Sequence, residues 1–282
     1  MTTPPAWRRS KASVNGSRPS LSKPLRLDAE LVRRGLAASR SEAKSLVEAG
    51  LVTVGGLPVR RAAALVTPGK PVALTGPDAR FVSRGGHKLD GALRDLDVEV
   101  AGRRWLDAGA STGGFTDRLL QGGATEVVAL DVGYGQLDWR LRNDPRVTVK
   151  ERVNARFLTP EELPWPADGV VADLSFISLT LVLPALVACS VPQADYVLLV
   201  KPQFEAGREA VGSGGVVRDP AHRRRAVERV LDAAKKCGLG LAGAVASPLV
   251  GPAGNHEFFV HVRRGAELSR DIVASLVEAG TP

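Results

Sequence analysis

Apolar residues between positions 25 and 50 recur every three to four residues, which is the spacing of an amphipathic helix. Gly35 and Gly50 interrupt this pattern and predict the ends of two short helices. Ser39, followed by Glu42 three residues later, has the form of a capping box. The spacing therefore predicts two consecutive helices, the second beginning after Ser39.

Two apolar runs then flank Gly55-Gly56, which predicts a tight hairpin. With a third short strand expected near 71–74, residues 25–75 are expected to form a small domain of two helices and a hairpin. Residues 1–24 contain four Pro and five basic residues without an acid, a composition typical of disorder. A polar linker is expected at 76–84.

The remaining residues, 85–282, alternate strand-like and helix-like patterns. Several strand candidates are continuously apolar, as the buried strands of parallel sheets are. The alternation predicts an α/β fold with a doubly wound, mostly parallel sheet. The predicted strands are Trp105–Asp107, Val127–Asp131, Val147–Lys150, Gly169–Asp173, Tyr196–Lys201, Leu239–Ala246 and Phe258–Arg263. The predicted helices are Gly86–Leu96, Gly113–Gln121, Ile177–Leu186 and Asp219–Lys236.

Composition excludes several classes of protein, among them disulfide-rich, zinc-binding and membrane-spanning ones. The 282 residues are 44% hydrophobic, enough for a core, but the two cysteines are too few for a disulfide framework or a zinc site. No apolar run approaches the ~18 residues of a spanning helix, and no apolar stretch follows the basic residues near the N-terminus, as a signal peptide requires. A cytoplasmic monomer without a membrane or metal partner is expected.

The net charge of +8 is unevenly distributed along the chain. Residues 1–75 carry 13 Lys and Arg against 4 Asp and Glu, whereas residues 76–282 carry 25 against 26. A basic module joined to a neutral one is typical of a polyanion-binding arm on a body with another task. A solvated basic tail is the alternative that the charge pattern leaves open.

The first strand of the larger region leads into a glycine-rich turn that opens a helix, and such a turn brings a ligand close to the backbone. Its spacing lacks the second glycine that a pyrophosphate needs, and no G-K-[ST] sequence is present. Asp131 ends the second strand, where a carboxylate can accept the hydroxyls of a ribose. These features indicate S-adenosylmethionine, with Asp107 near its amino-acid end, although either acid could instead cap a turn. The candidate cofactor-binding residues are Asp107, Gly109, Ala110, Ser111, Thr112, Gly113, Gly114, Phe115, Asp131, Asn154 and Asp173.

Four charged residues are expected near this turn. Asp173 and Lys201 end two predicted buried strands, and if the last strand is antiparallel, Glu257 before it lies at the same edge of the sheet. Lys88 lies on the helix before the first strand, off its apolar stripe. Each could be an ordinary salt-bridge partner, but together two lysines and two carboxylates can position a hydroxyl and remove its proton. Whether Lys201 is the base or only orients the hydroxyl stays open.

Longer motifs around these residues resemble a known family. The turn LDAGASTGGF, the strand ends VVADLSF and LVKPQFE, and the segment GNHEFF resemble the FtsJ/RrmJ-like ribose 2′-O-methyltransferases. SRSEAKSLVEAGLVTVGG resembles the RNA-binding domain named after ribosomal protein S-four. Together with SRGGHKL, DVGYGQLDWRLRNDPRV and GGVVRDP, these motifs make the chain similar to the TlyA family, also called haemolysin, over about residues 25–265.

The resemblance implies a Rossmann-like class I methyltransferase fold, a seven-stranded sheet whose last strand is antiparallel, and S-adenosylmethionine as methyl donor. It implies methylation of cytidine 2′-hydroxyls in 16S and 23S ribosomal RNA on ribosomal subunits. Gly55, where the small domain of the family usually has Asn or Asp, and the extension 1–24 depart from the pattern. The family's catalytic tetrad falls on Lys88, Asp173, Lys201 and Glu257.

RNA contacts are expected from basic residues of the small domain. Basic residues without aromatic platforms suit phosphate and shape recognition rather than base recognition. The target nucleotide has to be turned out of its helix to reach the crevice. Phe115, Phe176 and Phe204 lie beside the site motifs, where each could stack on a base or pack in the core. The candidate RNA-binding residues are Arg26, Arg33, Arg34, Arg40, Lys44, Arg60 and Arg61.

Other functions remain as alternatives. A base amino-methyltransferase is suggested by Asp173-Leu-Ser-Phe176, which resembles a [DN]-P-P-[YF] motif, but Leu-Ser replaces Pro-Pro and Lys201 would have no role. A non-catalytic ribosome-assembly factor would bind RNA without needing Lys201. A pore-forming haemolysin needs a spanning or strongly amphipathic segment, which the sequence does not offer. The glycine-rich loop 207–217 could be a lid over the substrate or a plain surface loop.

Overall fold

The computed structural model describes residues 24–37, 39–48, 50–67, 69–74 and 80–279. The expectation of a disordered tail falls almost entirely on residues 1–23, which lie outside the described residues, and so does the linker up to residue 79. Each of the two described parts of the chain, before and after this gap, has its own hydrophobic core.

Two short helices, α1 (Leu27–Arg33) and α2 (Arg40–Glu48), form where the apolar spacing predicts them. α1 is followed by Gly35, whose φ of +69° is a left-handed conformation that glycine adopts without a steric penalty. Before α2, the Ser39 hydroxyl accepts the N–H of Glu42 at 3.1 Å, as the predicted N-cap requires.

Short antiparallel strands complete this first part of the chain. They are β1 (Leu25–Arg26), β2 (Val52–Val54), β3 (Leu57–Pro58), β4 (Leu65–Val66) and β5 (Val72–Leu74). β2 pairs with β3 through the Gly55-Gly56 turn and with β5 on its other side, which confirms the hairpin and the third strand. The β1–β4 pairing was not predicted, because strands of two residues carry no periodicity.

The larger part of the chain is built on a seven-stranded sheet. Its strands are β6 (Arg104–Ala108), β7 (Glu126–Asp131), β8 (Val147–Glu151), β9 (Ala167–Ala172), β10 (Ser190–Val200), β11 (Gly240–Ala246) and β12 (Phe258–Arg263). They lie in the order β11-β12-β10-β9-β6-β7-β8. β12 is antiparallel to both neighbours and the pairs from β10 to β8 are parallel, so the predicted sheet and its antiparallel last strand are confirmed.

The predicted strand bounds differ most from the observed bounds at β10. This strand begins at Ser190 rather than Tyr196, and its register with β9 shifts between Ser190 and Asp195. β9 and β10 end one residue before Asp173 and Lys201, so these two residues follow their strands directly instead of closing them.

Helices cover both faces of the sheet, as a doubly wound fold requires. Apolar residues of α3 and α4 pack with Trp105 and Val127 on one face, and those of α6, α8 and α9 pack with Leu106 and Val128 on the other. The helices are α3 (Arg84–Asp95), α4 (Gly114–Gln121), α5 (Trp139–Arg142), α6 (Leu179–Ala188), α7 (Pro202–Glu205), α8 (Pro220–Lys236) and α9 (Asp271–Ala279). Short 3₁₀ turns lie at Ala155–Phe157, Pro160–Glu162, Arg208–Ala210 and Ser213–Gly215.

Three of these helices were not predicted. α5 and α7 are single turns of four residues, too short to show a helical period. The prediction also missed α9, although its apolar residues recur at helical spacing and two of them, Val273 and Val277, are buried. No helix in the described part of the chain has the length and apolar character needed to cross a membrane.

Candidate active site at the carboxyl edge of the large sheet

The four charged residues predicted to meet lie at one edge of the large sheet. β9 pairs in parallel with β10, so Asp173 after β9 and Lys201 after β10 emerge side by side. β12 runs antiparallel to β10, which places its first residue and the preceding Glu257 at the same edge. Lys88 reaches this edge from α3 by contacting Glu257.

Two ion pairs organise these residues. Lys88 Nζ lies 2.6 Å from Glu257 Oε2, with the two side chains only 8% and 1% exposed. Lys201 Nζ lies 2.5 Å from Asp173 Oδ1 in a more open position. Lys88 lies off the apolar stripe of its helix and is nevertheless buried, because the Glu257 carboxylate compensates its charge.

Ser175 also belongs to the site, although the sequence analysis did not single it out. Lys201 Nζ donates a hydrogen bond to Ser175 Oγ at 3.0 Å. A lysine ammonium has three N–H donors, so Ser175 takes one, Asp173 attracts the group, and a donor remains for a substrate oxygen. This arrangement favours an orienting role for Lys201 over that of a base. The signal was present in the VVADLSF motif, two residues after Asp173.

Asp107, at the end of β6, is completely buried. Its Oδ2 accepts the Thr116 hydroxyl at 2.6 Å, whereas its Oδ1 has no hydrogen-bond partner among the described residues. Burial raises the pKa of Asp107 to about 7, and the hydrogen bond from Thr116 opposes this shift. An unpaired carboxyl oxygen beside the glycine turn fits a cofactor with a positively charged amino group, as S-adenosylmethionine has.

Asp131, at the end of β7, is oriented by hydrogen bonds from the glycine-rich turn and from its own strand end. Its Oδ2 accepts the N–H of Ser111 at 2.8 Å, and its Oδ1 accepts the N–H of Gly133 at 2.6 Å. Ser111 adopts φ +49°, an uncommon conformation outside glycine. Each carboxylate oxygen keeps a second acceptor position, so Asp131 can also accept ribose hydroxyls.

The glycines of the turn are required for packing within the protein. A Cβ on Gly109, whose φ is +90°, would lie 2.5 Å from the backbone oxygen of Asp173. A Cβ on Gly113 would overlap Leu141 of α5. A Cβ on Gly114 would lie 2.7 Å from the backbone nitrogen of Gly86 in α3. Close helix packing therefore explains Gly113 and Gly114, and their contact with a cofactor stays a prediction.

The other candidate cofactor residues differ in their surroundings. Ala110 is buried and Thr112 is half-buried in the turn. Phe115 is buried with its ring 6.0 Å from that of Phe259, so of the two roles expected for it, core packing is the one observed. Asn154 is exposed, and its side chain accepts the N–H of Arg156 at the start of a 3₁₀ turn.

An exposed aromatic group lies three residues after Asp173 in the chain. Phe176 is 92% exposed and adopts φ +64°, and its ring lies 5.3 Å from that of Phe204. The two rings and Gln203 line a cavity of about 550 Å³. Core packing of Phe176 was therefore a wrong alternative, and the ring is available to a substrate.

The glycine-rich loop expected as a lid is attached to the segment that carries Glu257. Asn255 is buried, its Oδ1 accepts the N–H of Val217, and its Nδ2 donates to the carbonyl of Gly215. The lid function of the loop stays a prediction. His261 is buried on β12 and pairs with Asp195.

The basic residues of the small part surround two buried acids, Asp28 and Glu30. Hydrogen bonds from Arg26 and Arg33 hold the pKa of these acids at about 2. The ion pairs are Arg26–Asp28 at 2.9 Å, Arg40–Asp28 at 3.1 Å, Arg33–Glu30 at 2.6 Å and Arg34–Glu30 at 2.7 Å.

The other three basic candidates lie outside this network. Lys44 pairs loosely with Glu48 at 3.7 Å, and Arg60 and Arg61 are exposed and form no ion pair with the described residues. Among this set, Arg60 and Arg61 are thus the positive charges that the described residues compensate least.

Comparison with known proteins agrees with this geometry. The model of the FtsJ-like methyltransferase family matches residues 81–264, and that of the S4 domain matches residues 25–72. The 16S/23S rRNA (cytidine-2′-O)-methyltransferase TlyA of Mycobacterium tuberculosis is 58% identical over 239 residues, which cover 84% of this chain and 89% of the relative. The chain belongs to the TlyA family of FtsJ-like methyltransferases.

Two further relatives of this family cover most of the chain. The Bacillus subtilis protein provisionally named rRNA methyltransferase YqxC is 42% identical over 264 residues, covering 91% of this chain and 94% of the relative. The solved structure of a Streptococcus thermophilus protein, provisionally named a hemolysin, has a TM-score of 0.79 and 38% identity and covers 91% of this chain and 95% of its own. The protein is therefore an S-adenosylmethionine-dependent methyltransferase with an S4 domain.

Proposed function

We propose that the protein transfers a methyl group from S-adenosylmethionine to the 2′-hydroxyl of cytidine in ribosomal RNA. The observation that carries this proposal is the Lys201–Asp173 pair at 2.5 Å, at the same sheet edge as the buried Lys88–Glu257 pair. The name of the M. tuberculosis relative supports cytidine in 16S and 23S ribosomal RNA as the target. A base amino-methyltransferase would leave both lysines without a role.

The chemistry that we propose depends mainly on orientation. The cofactor supplies an electrophilic methyl group on a sulfonium. Lys201, held by Asp173 and Ser175, donates its remaining N–H to the ribose hydroxyl and fixes the direction of its lone pair. Holding two reactants in line can supply roughly 7–11 kcal/mol, which makes a strong base unnecessary. The hydroxyl proton then leaves late, to solvent water, as the new O–CH3 bond forms and the S–CH3 bond of the sulfonium breaks.

The cofactor would be held between the ends of β6 and β7. Asp107 offers its unpaired Oδ1 to the amino group of the cofactor, and Asp131 offers its carboxylate to the ribose. The backbone of the turn between them, together with Asn154 and Asp173, lines the rest of the proposed cofactor site.

The target base would be received by Phe176. An apolar ring that is 92% exposed, lines a cavity and follows Asp173 by three residues suits stacking on a base turned out of its helix. Phe204 would pack against the ring of Phe176, with 5.3 Å between the two ring centres.

The small domain would bring the enzyme to its substrate. We propose that residues 25–75 form the RNA-binding domain, that 76–84 form a linker and that 85–282 form the catalytic domain, acting as a monomer on ribosomal subunits in the cytoplasm. The basic candidates of the small domain would contact RNA phosphates, with Arg60 and Arg61 the most available among them.

The test is methyl transfer to isolated ribosomal subunits from a strain that lacks the enzyme. With labelled S-adenosylmethionine, we expect label in 2′-O-methylcytidine, and we expect Lys201→Ala to lower kcat by at least about 100-fold while cofactor affinity stays within about twofold. Lys235→Ala, which removes an exposed lysine on α8, is the matched control and should remain fully active.

Other outcomes would change the proposed function. Label on a base would support an amino-methyltransferase. Tight subunit binding and cofactor binding without any label would support a ribosome-assembly factor. Full activity of Lys201→Ala would contradict the proposed role of Lys201, even if the product were 2′-O-methylcytidine.

A further inference from the structure

Two chain segments carry the groups proposed to act on the substrate hydroxyl and base. The first follows β9 and runs from Asp173 through Ser175 and Phe176 to the start of α6. The second follows β10 and runs from Lys201 through α7. Because Lys201 must contact residues of the first segment, the geometry of the site depends on how the two segments are joined.

Glu205, the last residue of α7, joins them. Its Oε1 accepts the backbone N–H of Leu179 at 2.7 Å, and its Oε2 accepts the hydroxyl of Ser178 at 2.5 Å. The backbone carbonyl of Glu205 accepts a hydrogen bond from Arg229 of α8 at 2.8 Å, which anchors the end of α7 from the other side. One carboxylate thus bridges the C-terminal end of α7 and the N-terminal end of α6.

The carboxylate of Glu205 is buried, with the residue only 3% exposed. Burial raises the pKa of Glu205, and the hydrogen bonds from Ser178 and Leu179 oppose that shift. A buried carboxylate carries a desolvation cost that an apolar side chain would avoid. Position at a helix N-terminus and two hydrogen bonds offset this cost, and they do so only while α6 and α7 stay in place.

The backbone next to this bridge is strained. Phe176, two residues before Ser178, adopts φ +64°, and a residue other than glycine in that conformation costs about 1–3 kcal/mol. Such a conformation persists only where the surrounding structure holds it. The Glu205 contacts with Ser178 and Leu179 are the hydrogen bonds that fix the chain directly after Phe176.

We propose that Glu205 is a positioning residue for methyl transfer, which holds the segment after β9 so that Asp173 and Ser175 meet Lys201 and Phe176 stands next to Phe204. The proposal rests on the proposed function, because it assigns Glu205 to the alignment of the substrate hydroxyl. Glu205 itself contacts neither Lys201 nor Asp173 by hydrogen bond, so it acts through the backbone of both segments.

The experiment compares Glu205→Ala with Glu205→Gln in the full-length protein, using ribosomal subunits and labelled S-adenosylmethionine. We expect Glu205→Ala to lower kcat by about 100-fold, the effect of a displacement near 1 Å at a reacting group. Cofactor affinity should fall much less than kcat, because Asp173 is the one proposed cofactor residue on the segment that Glu205 holds. Glu205→Gln should restore most of kcat, since an amide can accept from Leu179 and donate to Ser178.

Two control variants separate positioning from general stability. Glu267→Ala removes an exposed carboxylate after β12, outside the loop 207–217, and should leave kcat unchanged. Asp195→Ala breaks the buried contact with His261 elsewhere on the sheet and should lower the melting temperature with little effect on kcat. If Glu205 is a positioning residue, kcat should fall far more in Glu205→Ala than in Asp195→Ala, even when the two variants lower the melting temperature by similar amounts.

The outcomes distinguish this inference from the proposed function. If the wild-type protein forms no 2′-O-methylcytidine, the proposed function fails and the inference fails with it. If the wild type is active and Glu205→Ala keeps its kcat, only the inference is overturned. It is also overturned if Glu205→Ala and Asp195→Ala lose kcat equally for the same loss of stability, or if Glu205→Gln is as inactive as Glu205→Ala.

Discussion

Among single residues, Asp107 combines complete burial with a carboxyl oxygen that no described residue satisfies. Its pKa of about 7, against an ordinary value of 3.8, means that the folded protein binds this proton more tightly than the unfolded chain does. The unfolded chain releases the proton first as the pH rises. This residue therefore makes the free energy of unfolding fall between about pH 4 and pH 7 in the absence of a cofactor.

Asp107→Asn tests this effect, because the amide resembles the neutral carboxyl and does not titrate. A difference of about three pH units corresponds to about 4 kcal/mol as an upper bound. We expect the variant to gain up to that amount relative to the wild type when urea unfolding is measured at pH 8 instead of pH 4. We also expect weaker binding of S-adenosylmethionine at pH 8. A stability difference that is the same at both pH values would contradict this account.

At the scale of secondary-structure elements, the contact between α3 and α4 positions both the cofactor turn and Lys88. Gly114 is the first residue of α4, and a Cβ there would lie 2.7 Å from the backbone nitrogen of Gly86 and overlap the Ser83 side chain. Because the nearest backbone atom of α3 is not part of a flexible side chain, it cannot move aside without shifting the helix. The absence of a side chain at residue 114 thus sets the distance between the two helices.

Gly114→Ala should force α3 away from α4, at a cost of about 1–3 kcal/mol in the free energy of unfolding. Because α3 carries Lys88, kcat should fall as well. Gly85→Ala is the matched control, since its Cβ would approach nothing closer than 3.3 Å. The measurement is urea unfolding together with methyl transfer, and equal effects of the two substitutions would refute the packing argument.

At the scale of the whole molecule, positive charge and catalytic chemistry occupy different parts of the chain. Residues 1–75 carry the basic excess, whereas residues 76–282 are nearly neutral and contain the sheet edge with both ion pairs. Within the small part, the two carboxylates of Asp28 and Glu30 form ion pairs with four of the seven candidate arginines and lysines, so these six side chains together keep a net charge of +2. Arg60 and Arg61 form no ion pair with the described residues, so their whole charge remains available to RNA.

Replacing both Arg60 and Arg61 by Ala should weaken binding to ribosomal subunits and reduce the slope of log affinity against log salt by about 2, one for each lost phosphate contact. Cofactor affinity should not change. Arg94→Ala, which removes a 72% exposed arginine of α3, is the control. An unchanged salt slope in the double variant would show that these two residues do not contact phosphate.

The order of strands and helices was predictable because apolar periodicity and glycine breaks are local signals. All seven strands of the large sheet and its four predicted helices formed, and apart from the early start of β10 their bounds lie close to the expected ones. Single-turn helices such as α7, and paired strands of two residues, leave no such signal. Ser175 and Glu205 were missed for another reason, because their importance arises from partners on a neighbouring segment.

The sequence by itself determined the alternation of elements, the glycine turn, the segregation of charge and the identity of the candidate tetrad, since each depends on residues near one another or on a recognisable motif. Only the tertiary structure decided which charges pair: Lys88 and Glu257 are separated by 169 residues and meet because α3 and β12 pack at one sheet edge. The same packing buries Asp107, fills the space beside Gly114 and leaves Phe176 exposed. Burial and pairing depend on chain segments that are distant in sequence, and local periodicity contains no information about them.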